Sequence, residues 1–187
     1  MEAWIVASLV ALWVVVLANL AVTAALVRRA VQPPAHPWSV KPGLEAGAPV
    51  PDFEASTGSG QDVRLSDLWG RSLLLFLLSP GCSPCRAIAP AVVRFAERTV
   101  AQRAQLAVAV FGSPEASREA LPQLFEDGLT VLMPKADAEQ VRATFRVPVP
   151  AWCAISEQGT VVESGMLMDR EEQWQRLEAA LAGAPAQ

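Results

Sequence analysis

Two cysteines three residues apart, Cys82 and Cys85, are the residues of this 187-residue chain whose type and spacing suit chemistry. They lie in Ser79-Pro80-Gly81-Cys82-Ser83-Pro84-Cys85-Arg86. Before them stands an apolar run over residues 73–78. After them, residues 87–100 carry Ile88, Val92, Phe95, Ala96 and Val100 at helical spacing. The order predicts a buried strand, a turn and a helix, with both sulfurs at the helix's opening. Backbone N–H groups there lack intrahelical partners, and the macrodipole adds partial positive charge. A thiolate is stabilised by that field, so a cysteine at this position is expected to have a lowered pKa and to be reactive. Pro84 suits the first helical turn, where its missing N–H matters little. The spacing therefore describes a dithiol–disulfide redox site. Cys82, at the outer end, is the expected attacking sulfur, and Cys85, one turn inward, the resolving one. Ser83 and Pro84 are expected to tune the potential through the geometry of that turn.

A metal site is the main rival reading of paired cysteines. Structural zinc takes four ligands. Only Cys153 and the single histidine, His36, remain as candidates, and His36 sits in a proline-rich stretch far from the pair. No metal and no cofactor are expected. Cys153 lies in an apolar segment and reads as an inert core thiol.

The elements that must hold this pair come next. The net charge of −4 is mild and no basic stretch suggests nucleic acid. Three cysteines with one close pair do not make the dispersed, even set of a disulfide-stapled domain. Residues 3–27 contain no charge, and at 1.5 Å per residue they span roughly 37 Å, enough to cross a hydrocarbon core of about 30 Å. A cleaved signal peptide would open with positive charge, whereas this segment opens with Glu2 and ends at Arg28-Arg29. The expectation is an uncleaved transmembrane anchor over residues 1–30. A tether follows over 31–47, with Pro33, Pro34, Pro37 and Pro42 breaking any regular element. A globular domain occupies 48–187. By the positive-inside rule, Arg28 and Arg29 argue for a cytoplasmic domain, although long domains cross membranes largely regardless of charge.

Within the domain, residues 53–57 and 62–65 read as short strands around Gly58-Ser59-Gly60, and 66–70 as a helical turn. Strands are also expected at 73–78, 106–111, 129–133, 151–155 and 160–164. Helices are expected at 87–100 (kinked by Pro90), 115–127 (bent by Pro122), 136–145 with Val141, Ala143 and Phe145 inward, and from a cap at Asp169 to Leu181 with Trp174, Leu177 and Leu181 on one face. Strands alternating with helices, closed by a hairpin, give an α/β sandwich with a central mixed sheet flanked by helices.

Over residues 48–181 this pattern resembles the thioredoxin superfamily. The resemblance rests on Cys82-Ser83-Pro84-Cys85 with Pro90 five residues on, on Phe145-x-Val147-x-Val149-Pro150 as the approach to a cis-proline, and on residues 155–160 as the hairpin that follows. It implies a thioredoxin-like sandwich, a cis Pro150 facing the sulfurs, and a Val149 backbone that pairs with an extended client segment. The segments Ala48-Pro49-Val50-Pro51-Asp52-Phe53 and Val63-x-Leu65-Ser66-Asp67-Leu68-x-Gly70 are similar to the membrane-tethered TlpA/ResA-like branch. Within it, Leu78-Ser79-Pro80-x-Cys82 and Gly165-x-Leu167-x-x-Arg170-Glu171 look most like the MauD family of methylamine dehydrogenase accessory proteins. There are departures. Gly81 replaces the usual tryptophan, and Phe76 and Ile88 stand where carboxylate proton acceptors occur, which leaves the proton acceptor for Cys85 unassigned.

The function so implied is membrane-tethered thiol–disulfide exchange on protein disulfides. Its expected use is in maturing an amine dehydrogenase or similar exported protein. The alternative is reduction of apocytochrome c thiols. The expected partners are a client with cysteines or disulfides and a membrane or periplasmic thiol donor or acceptor, and the expected place is a bacterial inner membrane with the domain in the periplasm. A peroxiredoxin-like peroxidase is a further alternative that needs proline at position 75, where this chain has Leu75. A Sco-type copper chaperone needs a downstream histidine, which is missing.

Overall fold

A computed structural model of the chain describes residues 4, 6, 8, 12–20, 23, 43–99, 105–126 and 129–182. The described residues from 43 to 182 belong to one compact unit. Among the described residues no helix is long and apolar enough to cross a membrane. Of the anchor expected over residues 3–27, residues 12–20 are described as helical, with exposed side chains, and most of the remainder lies outside the described residues. His36 and Asp127 also lie outside them.

The elements in chain order are strands β1 (Glu54–Thr57) and β2 (Asp62–Arg64), a 3-10 turn (Leu65–Leu68), strand β3 (Leu73–Leu78), helix α1 (Ser83–Thr99), strand β4 (Gln105–Val110), helix α2 (Pro114–Ala120), a second 3-10 turn (Pro122–Phe125), strand β5 (Thr130–Pro134), helix α3 (Ala138–Thr144), strands β6 (Ala151–Ile155) and β7 (Val161–Met166), and helix α4 (Glu171–Ala182). Seven strands form one mixed sheet in the order β2-β1-β5-β4-β3-β6-β7. β3 pairs parallel with β4 and antiparallel with β6, and β4 pairs parallel with β5.

β3 is apolar at every position because both its faces are covered. Its side chains alternate between two cores, as a period of two requires. Leu74, Phe76 and Leu78 join Val108, Val110 and Trp152 beneath α1 and α4, where the Phe95 and Trp174 rings meet at a tilt of 38° with centroids 5.3 Å apart. Leu73, Leu75 and Leu77 join Ala107, Ala109, Cys153 and Ile155 on the other face, covered by Val141, Phe145, Phe53 and Leu65. The strand that carries the cysteine turn is thus pinned from both sides.

One local expectation holds and is extended by the structure, and three differ from it. The β1–β2 hairpin forms, but β1 also extends the sheet by pairing antiparallel with β5, from Ala55 opposite Pro134 to Thr57 opposite Leu132. The helix expected over 115–127 stops at Ala120: Leu121 leaves helical geometry at φ −135° and ψ 48°, because Pro122 has no N–H and its ring excludes the preceding helical backbone. Ala143 is exposed while Val141 and Phe145 are buried. Residues four apart share a helix face, and the residue midway points away. Asp169 does not cap α4. The Arg170 carbonyl accepts the Gln173 and Trp174 backbone N–H groups, and the Asp169 carboxylate accepts the Trp174 indole N–H at 3.0 Å. By contrast, Pro90 lies on the exposed side of α1, and the helix runs through it.

The end of the expected tether belongs to the domain. The Gly43 N–H donates to the Arg146 carbonyl at 3.1 Å, the Ser164 hydroxyl to the Leu44 carbonyl at 3.1 Å, and the Gly47 N–H to the Val161 carbonyl at 2.7 Å. The folded unit therefore starts several residues before position 48.

Candidate active site

The end of β3 delivers the chain into the turn at 79–82, where the Cys82 N–H donates to the Ser79 carbonyl at 3.2 Å. The Arg86 N–H donates to the Cys82 carbonyl at 3.2 Å, so Cys82 caps α1. The Cys85 N–H points at Cys82 Sγ from 3.2 Å. Sulfur occupies the place that a serine or aspartate oxygen takes in ordinary caps. An N–H aimed at sulfur favours the charged thiolate over the thiol.

Cys82 and Cys85 are joined as a disulfide, with their α-carbons 5.2 Å apart. Cys82 is half-buried and Cys85 fully buried, so one sulfur meets an incoming partner and the other waits behind it. Ser83 and Pro84, the two residues between, are exposed in the first turn of α1.

The opposite wall comes from 67 residues further on. The Val149–Pro150 peptide bond is cis, and the Val149 carbonyl oxygen stands 3.5 Å from Cys82 Sγ. Val149 is half-buried and Pro150 buried. The Pro150 carbonyl accepts the Leu167 N–H at 2.9 Å, which ties this loop to the end of β7. All the residues singled out in the sequence, Cys82, Cys85, Ser83, Pro84, Val149 and Pro150, therefore gather at one end of the sheet.

Cys153 does not join them. It lies in β6 opposite Leu75, in the core on the other face of the sheet. Burial pushes its thiol from an ordinary 9.0 up to about 12. Phe76 and Ile88 are both buried apolar residues, and among the described residues the buried polar ones are Thr99 and Ser117. No carboxylate is thus buried beneath Cys85. Nor do the described residues contain a group of His, Cys, Asp and Glu that would hold a metal ion.

Two contacts at this site were not foreseen. A Cβ on Gly112, just past β4, would collide with the Pro80 ring, so the loops after β3 and β4 touch here. Their signal in the sequence is only that each follows an apolar strand. In addition, Arg86 folds back so that Nη1 donates to the Pro80 carbonyl at 2.9 Å.

A model of the AhpC/TSA family matches residues 46–164. The chain belongs to that family. The match opens ahead of β1 and closes within β7, so it takes in β1 to β6, most of β7 and the whole cysteine turn of this family member. The thioredoxin-like protein YneN of Bacillus subtilis is 28% identical over 139 residues, covering 73% of this chain and 81% of that protein. Among solved structures, the thioredoxin domain of a thiol-disulfide oxidoreductase from Bacteroides vulgatus superposes with a TM-score of 0.63 at 18% identity, covering 74% of this chain and 99% of that one. A secreted Mycobacterium tuberculosis disulfide oxidoreductase, described as homologous to E. coli DsbE, gives 0.53 at 23% identity, covering 68% and 95%. The fold is thioredoxin-like, and a closed Cys82–Cys85 pair stands at the mouth of α1.

Proposed function

We propose that this protein is a membrane-tethered thiol–disulfide oxidoreductase that exchanges disulfides with exported client proteins. The observation that carries the reading is the placement of half-buried Cys82 against the Val149 carbonyl, with Cys85 sealed behind it. An extended client segment lies along the Val149 backbone in strand fashion and presents its disulfide to Cys82. In the reducing direction the Cys82 thiolate attacks one client sulfur. The other client sulfur leaves as a thiolate and takes a proton from water. Cys85, deprotonated to solvent, then attacks Cys82, closes the pair and releases the reduced client. Two electrons pass from the pair to the client, and a thiol donor at the membrane restores them. The oxidising direction runs the same steps in reverse.

The placement outside the cytoplasm rests on the chemistry, since stable protein disulfides persist there, and on the apolar residues 3–27. The description of the mycobacterial neighbour as secreted agrees with it. Resemblance to the MauD family supports maturation of a disulfide-containing amine dehydrogenase as the use. The second reading, electron delivery to apocytochrome c thiols, draws on the TlpA/ResA-like segments at 48–53 and 63–70. The peroxidase reading has no support at position 75, where Leu75 is buried in the middle of β3.

The test is turnover of insulin disulfides by the purified chain, together with the potential of the Cys82–Cys85 pair against glutathione. Rapid turnover at a potential near that of thioredoxin means a reductant, and a much more positive potential an oxidant. No turnover in either direction refutes the reading. An alkaline phosphatase fusion after residue 45 should be active, and an inactive fusion overturns the periplasmic placement.

A further inference from the structure

We propose that Arg86 is the positioning residue that sets the reactivity of Cys82, holding its positive charge beside the cysteine turn so that the Cys82 sulfur attacks, and in the reverse direction leaves, as a thiolate. The inference rests on the thiol–disulfide reading of the site and adds to it the group that activates the sulfur.

The starting point is a conflict. Cations are disfavoured in the first turns of a helix, where the macrodipole is already positive, yet Arg86 lies one turn after the cap of α1 and no acidic residue stands in the first turn to offset it. A conflict between local rule and sequence is expected where function requires it. The side chain does not drift into solvent away from the dipole. Its Nη1 reaches back to the Pro80 carbonyl at 2.9 Å, within the turn that carries Cys82. Pro80 and Cys82 are two residues apart, so their α-carbons are separated by at most about 7 Å and the bridge is anchored in the same turn as the sulfur.

Two polar neighbours of Cys82 Sγ act in opposite directions. The Cys85 N–H at 3.2 Å favours the thiolate, whereas the Val149 carbonyl at 3.5 Å presents negative charge and favours the thiol. No carboxylate is buried beneath the pair among the described residues. The charged groups on the elements around the site are exposed and mixed in sign: Glu115 at the start of α2, Arg146 before the cis-proline loop, and Asp169 and Arg170 after β7. Asp169 is engaged with the Trp174 indole. Arg86 is the cation bonded into the cysteine turn itself. A guanidinium is suited to this duty because it offers several donors in a rigid fork, so one can bind the carbonyl while the positive charge is held beside the turn. Ionisation of Cys82 passes its proton to water, and no electron moves in this step.

The experiment compares the reduced full-length chain with Arg86→Gln and Arg86→Lys. The rate of iodoacetamide labelling at Cys82 is followed by mass spectrometry from pH 5 to 10, at low salt and in 1 M salt, beside insulin turnover. In Arg86→Gln the labelling rate on the acidic limb is expected to fall by about twofold to fivefold, the size expected of one exposed charge, with the midpoint moved to higher pH. Arg86→Lys should stay close to the unaltered chain, and the Gln deficit should shrink in 1 M salt. Superposable pH profiles for Gln and the unaltered chain would overturn the proposal. So would equal deficits in Gln and Lys that ignore salt, which would mean that the bridge to Pro80 merely braces the turn. Loss of insulin turnover by the unaltered chain refutes the oxidoreductase reading instead and leaves the labelling result to decide on Arg86 independently.

Discussion

Cys85 and Cys153 are equally shut off from solvent, yet the structure gives them opposite fates. Cys85 lies in the first turn of α1, three residues from a second sulfur that reaches the surface, and is bonded to it. Cys153 lies in the middle of β6, on the face away from α1, between β3 and β7, with its thiol pushed up to about 12 by burial. Burial alone therefore says little about a cysteine. What matters is whether unpaired N–H groups and a second sulfur come within reach, and a helix mouth supplies both while a strand interior supplies neither.

The contrast can be broken or sharpened by experiment, beginning with the largest effect. Cys82→Ser should lower insulin turnover by about a thousandfold or more, since a hydroxyl is not an attacking thiolate at neutral pH. Retained turnover would place the chemistry elsewhere. Cys85→Ser should still attack, then stop as a mixed disulfide between Cys82 and the client. That species would be isolated on a non-reducing gel and released by dithiothreitol. A variant that turns over freely would remove Cys85 from the resolving role.

A smaller effect is expected at the other cysteine. Cys153→Ser puts a hydroxyl among apolar side chains and should lower unfolding stability by about 1–3 kcal/mol in urea titrations. The rate of exchange should stay as it was, and a matching loss of rate would tie Cys153 to the site. The smallest effect concerns pH. The folded state holds the Cys153 proton up to about 12, whereas the unfolded thiol releases it near 9.0. Above that lower value the unfolded state binds fewer protons, so stability should decline as pH rises through this window. Cys153→Ala should flatten that part of the curve. An unchanged slope would assign the decline to other groups.

Much of the site was legible from residue order. A strand buried on both faces must read as an unbroken apolar run, and Leu73–Leu78 does. The cysteines follow at once, and the helix after them carries its apolar stripe at the right spacing. The cis bond at Pro150 and the nearness of Val149 to Cys82 were legible only through resemblance, because nothing local to residues 145–150 refers to residue 82. The misread positions share a cause. Ala143, Asp169 and the end of α2 each depend on which way a short element faces or where it stops, and packing against the sheet decides that over one or two residues. The Arg86 bridge was hidden for another reason. An exposed arginine after a cysteine has no pattern of its own until the loop carbonyl it reaches is in place.

By itself, the sequence determined what periodicity and local chemistry can carry: the strand–cysteine–helix unit, the two-sided core of β3, and the burial of a thiol in an apolar strand. Only the tertiary structure decided that β1 extends the sheet beside β5, that Val149 closes over Cys82 from 67 residues away, and that Arg86 turns back onto Pro80. The reason is range. Helix and strand periods repeat within a few residues and are written along the chain, whereas the partners of a loop are chosen by how two faces of one sheet fill, and no short stretch of sequence contains both sides of that choice.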